Sequence, residues 1–133
     1  MADFSGFKSF NFSEGVPYMS VTKNGVTFNK SVVMKMQYPE YVQFLINDST
    51  NQVALLTCSE SDENAVLFCT PEKRNGKVLS IRWNTRDLLN TLSALARWDL
   101  SRESYRVEGQ LLADRHAMLF ELNYAFLLGD TEK

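Results

Sequence analysis

The chain has 133 residues, of which 44% are hydrophobic and 23% are charged, and its formal net charge is −2. A chain of this length buries roughly two-thirds of its unfolded surface, which favours one domain over two independent ones. The composition is too apolar for a wholly disordered chain. The slightly acidic balance also differs from the strongly basic composition of most stand-alone nucleic-acid binders.

The N-terminal segment, residues 1–14, has an acidic residue at position 3 and interrupts its apolar residues with small or polar ones. It therefore lacks the basic start and the unbroken apolar run of a signal peptide. No stretch approaches the roughly 20 apolar residues that a membrane-spanning helix needs. These features predict a soluble, cytoplasmic protein with no membrane partner.

The first predicted structural unit covers residues 17–58 and begins with a β-hairpin. β-Branched and aromatic residues flank Asn24-Gly25, a pair that suits a tight hairpin turn, so we expect strands at about 17–23 and 26–28. After the helix that follows, "YVQFLIN" and "QVALLTC" form a second strand pair across "DSTN", whose side chains favour a turn.

A short helix is predicted between these two hairpins. Asn29 can offer its side-chain oxygen to the first free backbone amides of the helix. Three apolar residues recur at spacings that place them on one helix face: Val32, Val33 and Met36. Pro39 disfavours helical geometry in the residue before it, so the helix should end by Tyr38.

The same order recurs over residues 65–123. "AVLFCT" and "KVLSIRW" flank a loop with Asn75-Gly76 and are predicted to pair as a hairpin, after which Asn84 caps a longer helix with Asp87 in its first turn. The core-facing stripe of that helix is Leu88, Leu89, Leu92, Leu95 and Ala96. "SYRVEGQLL" and "HAMLFELN" are predicted to form the final hairpin.

The sequence thus predicts a single α+β, mostly β domain over 1–133. It contains two pseudo-repeats, 17–58 and 65–123, each a β-hairpin, a short helix and a β-hairpin, and the two share one core. The terminal segments are 1–14 and 126–133.

The stretch "VTFNKSVVMKM", followed by "YPEYVQFLINDSTNQVALLTC", resembles the swapped-hairpin DNA-binding domains of the AbrB and MazE type. In that family a strand, a short helix and two strands joined by a turn form one copy, and two copies interlock. A chain with two copies, as in the MraZ type, forms the unit from its own halves. The resemblance implies a swapped-hairpin fold and a transcriptional regulator that binds duplex DNA.

The resemblance also implies which side chains contact DNA, namely Lys and Arg in the strand before each helix and at the helix start. Phosphates require positive charge, and guanine edges favour Arg. Residues 72–106 contain eight basic and four acidic residues, a local charge of +4 that suits a DNA face or a contact between two copies. The candidate DNA-binding residues are Lys23, Lys30, Lys73, Arg74, Lys77, Arg82 and Arg86.

A non-catalytic protein-interaction or assembly module is the second function that the sequence leaves open. Gly25 and Ser80 stand where the family commonly has Arg, and the low net charge also favours this alternative. Exposed strand edges or the Phe-rich N-terminus would then bind a second copy, as in a homodimer, or another protein. The aromatic residues of that N-terminus are Phe4, Phe7, Phe10 and Phe12.

An enzymatic function has no support from the sequence. His116 is the single histidine, and no serine lies in a nucleophile elbow. Cys58 and Cys69 have no CxxC spacing, and the glycines form no phosphate-binding loop. We therefore expect no enzyme activity, no cofactor and no metal site.

Overall fold

The computed structural model of the protein describes residues 5–6, 15–70 and 80–128. The strands in these ranges are β1 Tyr18–Thr22, β2 Gly25–Phe28, β3 Tyr41–Asn47, β4 Gln52–Cys58, β5 Val66–Leu67, β6 Ile81–Trp83, β7 Ser104–Leu112, β8 Ala117–Glu121 and β9 Phe126–Leu128. The helices are α1 Lys30–Lys35 and α2 Arg86–Ala96, with 3₁₀ turns at Ala113–Arg115 and Leu122–Tyr124. The predicted α+β, mostly β class is confirmed.

The strands form one curled antiparallel sheet. Their order is β5-β3-β4-β8-β7-β1-β2-β6, and β9 pairs with β7. The long strand β7 pairs with β1 along one edge, and along its other edge the first three residues pair with β9 and the last four pair with β8. The predicted terminal segment 126–133 therefore begins with a strand of the sheet.

An aromatic cluster fills the interior of the curl. The fully buried ring of Phe28 on β2 lies 5.0 Å from Trp83 on β6, between ring centroids, and 5.7 Å from Phe68. Phe120 on β8 is 6.0 Å from the same ring. Phe44 on β3 lies 6.1 Å from Trp83. Because β3 and β6 stand near opposite ends of the strand order, this cluster draws the two ends of the sheet together.

The first half of the chain folds as predicted, and Asn29 has a double role. Its Oδ1 accepts a hydrogen bond from the Val32 N–H at 3.2 Å, which caps α1, and another from the Tyr18 N–H at 3.0 Å. Its Nδ2 donates to the Val16 carbonyl at 2.8 Å. One side chain thus starts the helix and fastens the beginning of β1 to it.

The apolar face of α1 and the end of that helix also follow the prediction. The three residues assigned to the core face, Val32, Val33 and Met36, are all buried. The helix ends at Lys35, and Gln37 and Tyr38 then take positive φ values of 65° and 55°. The chain therefore leaves the helix before Pro39, as expected.

The start of α2 differs from the prediction. Thr85, not Asn84, occupies the N-cap position, and its side chain makes no capping hydrogen bond. The expected apolar face is present, because Leu89 and Leu92 are buried and the other members of the stripe pack partly against the core. Neither helix in the described ranges is long and apolar enough to cross a membrane.

The predicted hairpin at the start of the second half is corrected by the strand pairing. β5 pairs with β3, with Leu67 opposite Tyr41, whereas β6 pairs with β2, with Ile81 opposite Phe28. Between residues 65–70 and 80–83 no ladder joins β5 to β6. A hydrophobic pattern predicts a strand but not its partner, and here both strands pair with strands of the first half. The final hairpin, β7 with β8, is confirmed.

The double role of Asn29 generates a test with a matched control in the same chain. Asn29→Ala removes the acceptor for two backbone N–H groups, so we expect a loss of about 2 kcal/mol in the free energy of unfolding. Thr85→Ala changes the N-cap of α2, where no side-chain hydrogen bond exists, and should cost much less. Urea denaturation of both variants measures the difference, and equal losses would contradict this account.

The aromatic cluster generates a second test. Phe28→Ala removes a buried ring with three aromatic neighbours and should lower the free energy of unfolding by about 3–5 kcal/mol. Phe126→Ala is the control, because the Phe126 side chain is 55% exposed and its removal leaves no comparable cavity. Thermal and urea unfolding should separate the two variants clearly; a similar loss for Phe126→Ala would show that the cluster does not dominate stability.

Candidate nucleic-acid interface

The turn between β1 and β2 lies against β6. Thr22 pairs with Gly25, so Lys23 and Asn24 form the two-residue turn, one position earlier than the Asn-Gly pair suggested. A Cβ atom on Gly25 would come within 2.8 Å of the Trp83 carbonyl oxygen and 3.1 Å of Arg82 Nε. Glycine at this position therefore permits the close approach of β6, and the Arg82 side chain extends towards the turn.

A groove of about 560 Å³ runs between this turn, helix α2 and the loop after that helix; we call it the turn groove. Lys23 from the turn and Arg86 from the first residue of α2 both line it. The remaining lining residues are Asn24, Leu89, Asn90, Ser93, Trp98, Asp99, Leu100 and Ser101. An adjoining depression of about 360 Å³ shares Lys23 and adds Arg102.

The loop after α2 is held in shape by Asp99. Its Oδ1 accepts hydrogen bonds from the Ser101 hydroxyl at 2.6 Å and from the Ser101 N–H at 3.2 Å, and its carbonyl accepts from the N–H groups of Arg102 and Glu103. The Ser101 hydroxyl, its N–H group and the Arg102 charge hold the pKa of Asp99 below its ordinary value, against the opposing effect of burial. The carboxylate thus stabilises the wall of the groove.

Trp98 is fixed by a stacked partner. Its ring lies 4.5 Å from the ring of Tyr105, between centroids, with an interplanar angle of 9°. The Tyr105 hydroxyl donates to Glu103 Oε1 at 2.6 Å. This hydrogen bond raises the pKa of Tyr105, and burial and the charges of Glu103 and Asp99 act in the same direction. The phenol therefore remains a donor, and Glu103 is engaged by it.

The structure brings some of the predicted DNA-binding residues together. Lys23, Arg82 and Arg86 are exposed and gather around the β1–β2 turn. Lys30 is also exposed, but it follows the opposite end of β2 and does not line the turn groove. Three further candidates lie outside the described residues: Lys73, Arg74 and Lys77.

Sequence reasoning missed two residues at this site, Arg102 and Trp98. The positive charge of the segment 72–106 already included Arg102, but nothing in the local pattern places it beside a turn about 80 residues earlier. Trp98 is partly buried and packs against the core. Its place in the groove wall depends on how the loop folds back from α2.

The described residues give little support to a reactive cysteine or a metal site. Burial, and then the nearby Asp62 carboxylate, raise the pKa of Cys58, which disfavours the reactive thiolate. In the ranges 15–70 and 80–128, no group of three His, Cys, Asp or Glu side chains is arranged to hold a metal ion. The basic surface around the turn groove is therefore the leading candidate site.

Comparison with known proteins adds no family assignment, because no protein-family model, curated protein sequence or solved structure matches the chain.

The loop geometry generates a prediction about Asp99. Ser101→Ala removes the strongest hydrogen bond to the carboxylate, so the pKa of Asp99 should rise towards the ordinary Asp value of about 3.9. A ¹³C NMR titration of the side-chain carboxyl measures this shift. Ser101→Thr keeps the hydroxyl and serves as the control. An unchanged pKa in Ser101→Ala would mean that the Ser101 hydroxyl does not hold the loop.

Proposed function

We propose that this protein is a DNA-binding regulator of the swapped-hairpin type, with Lys23, Arg82 and Arg86 contacting phosphates. The supporting observation is that residues from the β1–β2 turn, from β6 and from the start of α2 gather on one exposed surface. They come from both halves of the sequence and are separated by up to 63 positions. When cationic side chains converge in this way, they create a local positive potential that attracts the phosphates of duplex DNA.

The strand pairing supports the swapped-hairpin part of the proposal. Four ladders join a strand of one predicted pseudo-repeat to a strand of the other: β2 with β6, β4 with β8, β1 with β7 and β3 with β5. The counterparts in the two halves are β1 and β5, β2 and β6, β3 and β7, and β4 and β8. If each strand is replaced by its counterpart, the β2–β6 and β4–β8 ladders are unchanged, and the β1–β7 ladder becomes the β5–β3 ladder. This symmetry of the ladders supports the proposed interlocking of two copies in one unit.

The register of the β2–β6 ladder has the same symmetry. Val26 lies opposite Trp83, and Phe28 lies opposite Ile81. If Phe28 is aligned with Trp83 in the repeat, these two pairs exchange, and the ladder is centred on Thr27 opposite Arg82. A pseudo-twofold axis would then pass beside Arg82, so this side chain would meet the centre of a bound DNA site.

A salt-dependent binding experiment tests the phosphate contacts. We expect the double substitution Arg82→Ala and Arg86→Ala to weaken binding to a labelled duplex and to reduce the slope of log K against log salt by about 0.9 for each lost contact. Fluorescence anisotropy between about 50 and 200 mM salt covers the range in which this term changes steeply.

Arg115→Ala is the matched control for that experiment. Arg115 is exposed and lies beyond the far end of β7, roughly 27 Å along the strand from the residues near the turn groove. The control removes one positive charge, where the double variant removes two, and it should leave the salt slope nearly unchanged. Equal effects of the control and the double variant would exclude a localised DNA site around the turn.

A second candidate function, an assembly module, is favoured by the outer edge of β3. β5 covers this edge only as far as Val42, and in the described ranges no strand pairs with it over residues 43–47. Leu45 and Ile46 on this stretch are each 43% exposed. An uncovered apolar edge offers free backbone hydrogen-bonding groups to another strand.

The chemistry of the edge points to a second copy of the same chain. Residues 43–47 carry no charge, so two antiparallel copies of this stretch meet without repulsion. The pairing would be centred on Leu45, with Ile46 of each copy opposite Phe44 of the other. The edge also lacks the Lys or Pro with which exposed strands are commonly protected.

A charge placed at the centre of that edge tests the assembly function. We expect the protein to form a dimer at micromolar concentration and Leu45→Lys to make it monomeric, because two lysines would face each other. Leu111→Lys is the control, since Leu111 is 37% exposed on β7 and lies outside the proposed edge. Sedimentation velocity measures both; a monomeric wild-type protein would exclude this mode of assembly.

A further inference from the structure

The turn groove combines three kinds of surface that together match a nucleotide. Its volume of about 560 Å³ lies within the range of about 300–1,000 Å³ found for small-ligand sites. One part of the lining is apolar, from Leu89, Leu100 and Trp98. Another part is cationic, from Lys23 and Arg86, which come from separate elements and face one groove.

Trp98 can serve as a stacking surface because its position is fixed. Tyr105 lies parallel to one face of the indole, so a base can stack only on the other face. Tyr105 is itself held by its hydrogen bond to Glu103 and by its place in β7 opposite Val21. A rigid aromatic surface loses little conformational entropy when a base binds, and stacking does not require a particular base.

Polar side chains in the lining suit the edge of a base. Asn24 and Asn90 each have a donor and an acceptor in one amide group, and Ser93 adds a hydroxyl. Asp99 also lines the groove, where a carboxylate oxygen can accept a hydrogen bond from an exocyclic amino group. Its negative charge disfavours a phosphate beside it, so the phosphate belongs with Lys23 and Arg86.

From these observations we infer that the turn groove binds an unpaired nucleotide, with the base stacked on Trp98 and the phosphate between Lys23 and Arg86. This inference rests on the proposed function, because it assigns a ligand to part of the same basic surface. It goes beyond that function because it specifies which form of nucleic acid the groove prefers. A paired base in a duplex has no free face for Trp98, whereas a base in a single strand does.

The chain contains two tryptophans, which makes the stacking directly measurable. Trp83 packs against Phe28 in the core, whereas Trp98 lines the groove. We expect a mixed-sequence single-stranded oligonucleotide to quench the tryptophan fluorescence of the wild-type protein and to bind more tightly than a duplex of the same sequence. In Trp98→Phe the quenching should disappear while most of the affinity remains, because a phenyl ring still stacks.

Two further variants distinguish a loss of base stacking from a loss of folding stability. Trp98→Leu should bind the single strand about tenfold more weakly, within the range measured for base–aromatic stacking, and should lose much less affinity for the duplex, whose paired bases do not stack on the indole. Ser93→Leu fills the groove without a change of charge and should act in the same direction. Circular dichroism and thermal unfolding confirm that each variant is folded before it is compared.

The outcomes distinguish this inference from the proposed function. Quenching that persists in Trp98→Phe, or equal binding of single strand and duplex in all variants, overturns the nucleotide site, even if binding still depends on Arg82 and Arg86. Failure of both forms of DNA to bind overturns the inference and the proposed function together. Titration with a free mononucleotide identifies the source of the ligand: comparable affinity assigns the groove to free nucleotides, and at least tenfold tighter binding of the strand assigns it to nucleic acid.

Discussion

The contact between Phe28 and Trp83 is the interaction on which the arrangement of the sheet depends. Edge-to-face aromatic pairs contribute about 0.5–1.5 kcal/mol beyond the burial of their area, and here Phe68 and Phe120 add two further ring contacts to Phe28. Trp83 also contacts Phe44, from a strand near the other end of the sheet. A flat sheet could not make these contacts, so the burial of this cluster requires the curl.

The same constraint positions the basic surface. With Val26 and Phe28 directed into the core, the alternation of a strand places Thr27 on the outer face, and its partner Arg82 is exposed beside it. The ladder continues until the Trp83 carbonyl meets Gly25, where only glycine leaves enough space. The β1–β2 turn and the first residue of α2 then lie on either side of one groove, and the core packing thereby determines which cations become neighbours.

The sequence predicted the features that depend on local chemistry, but it did not predict which strands pair with each other. The cap at Asn29, the buried face of α1 and the final hairpin follow from side-chain type and spacing over a few residues. The partners of β5 and β6 do not, because each strand pairs with one from the other half, and no local pattern encodes that choice. Lys23, Arg82 and Arg86 were predicted individually, but the groove between them, with Trp98 and Arg102, emerges only from the folded loop after α2.

Amide chemical-shift mapping can locate the proposed contact between nucleic acid and the surface around the β1–β2 turn. In a titration of ¹⁵N-labelled protein with a short duplex, we expect shifts concentrated at residues 22–25, 82–86 and 98–103, with little change at 113–116. Shifts concentrated at the β3 edge, residues 43–47, or no shifts at saturating DNA would contradict it.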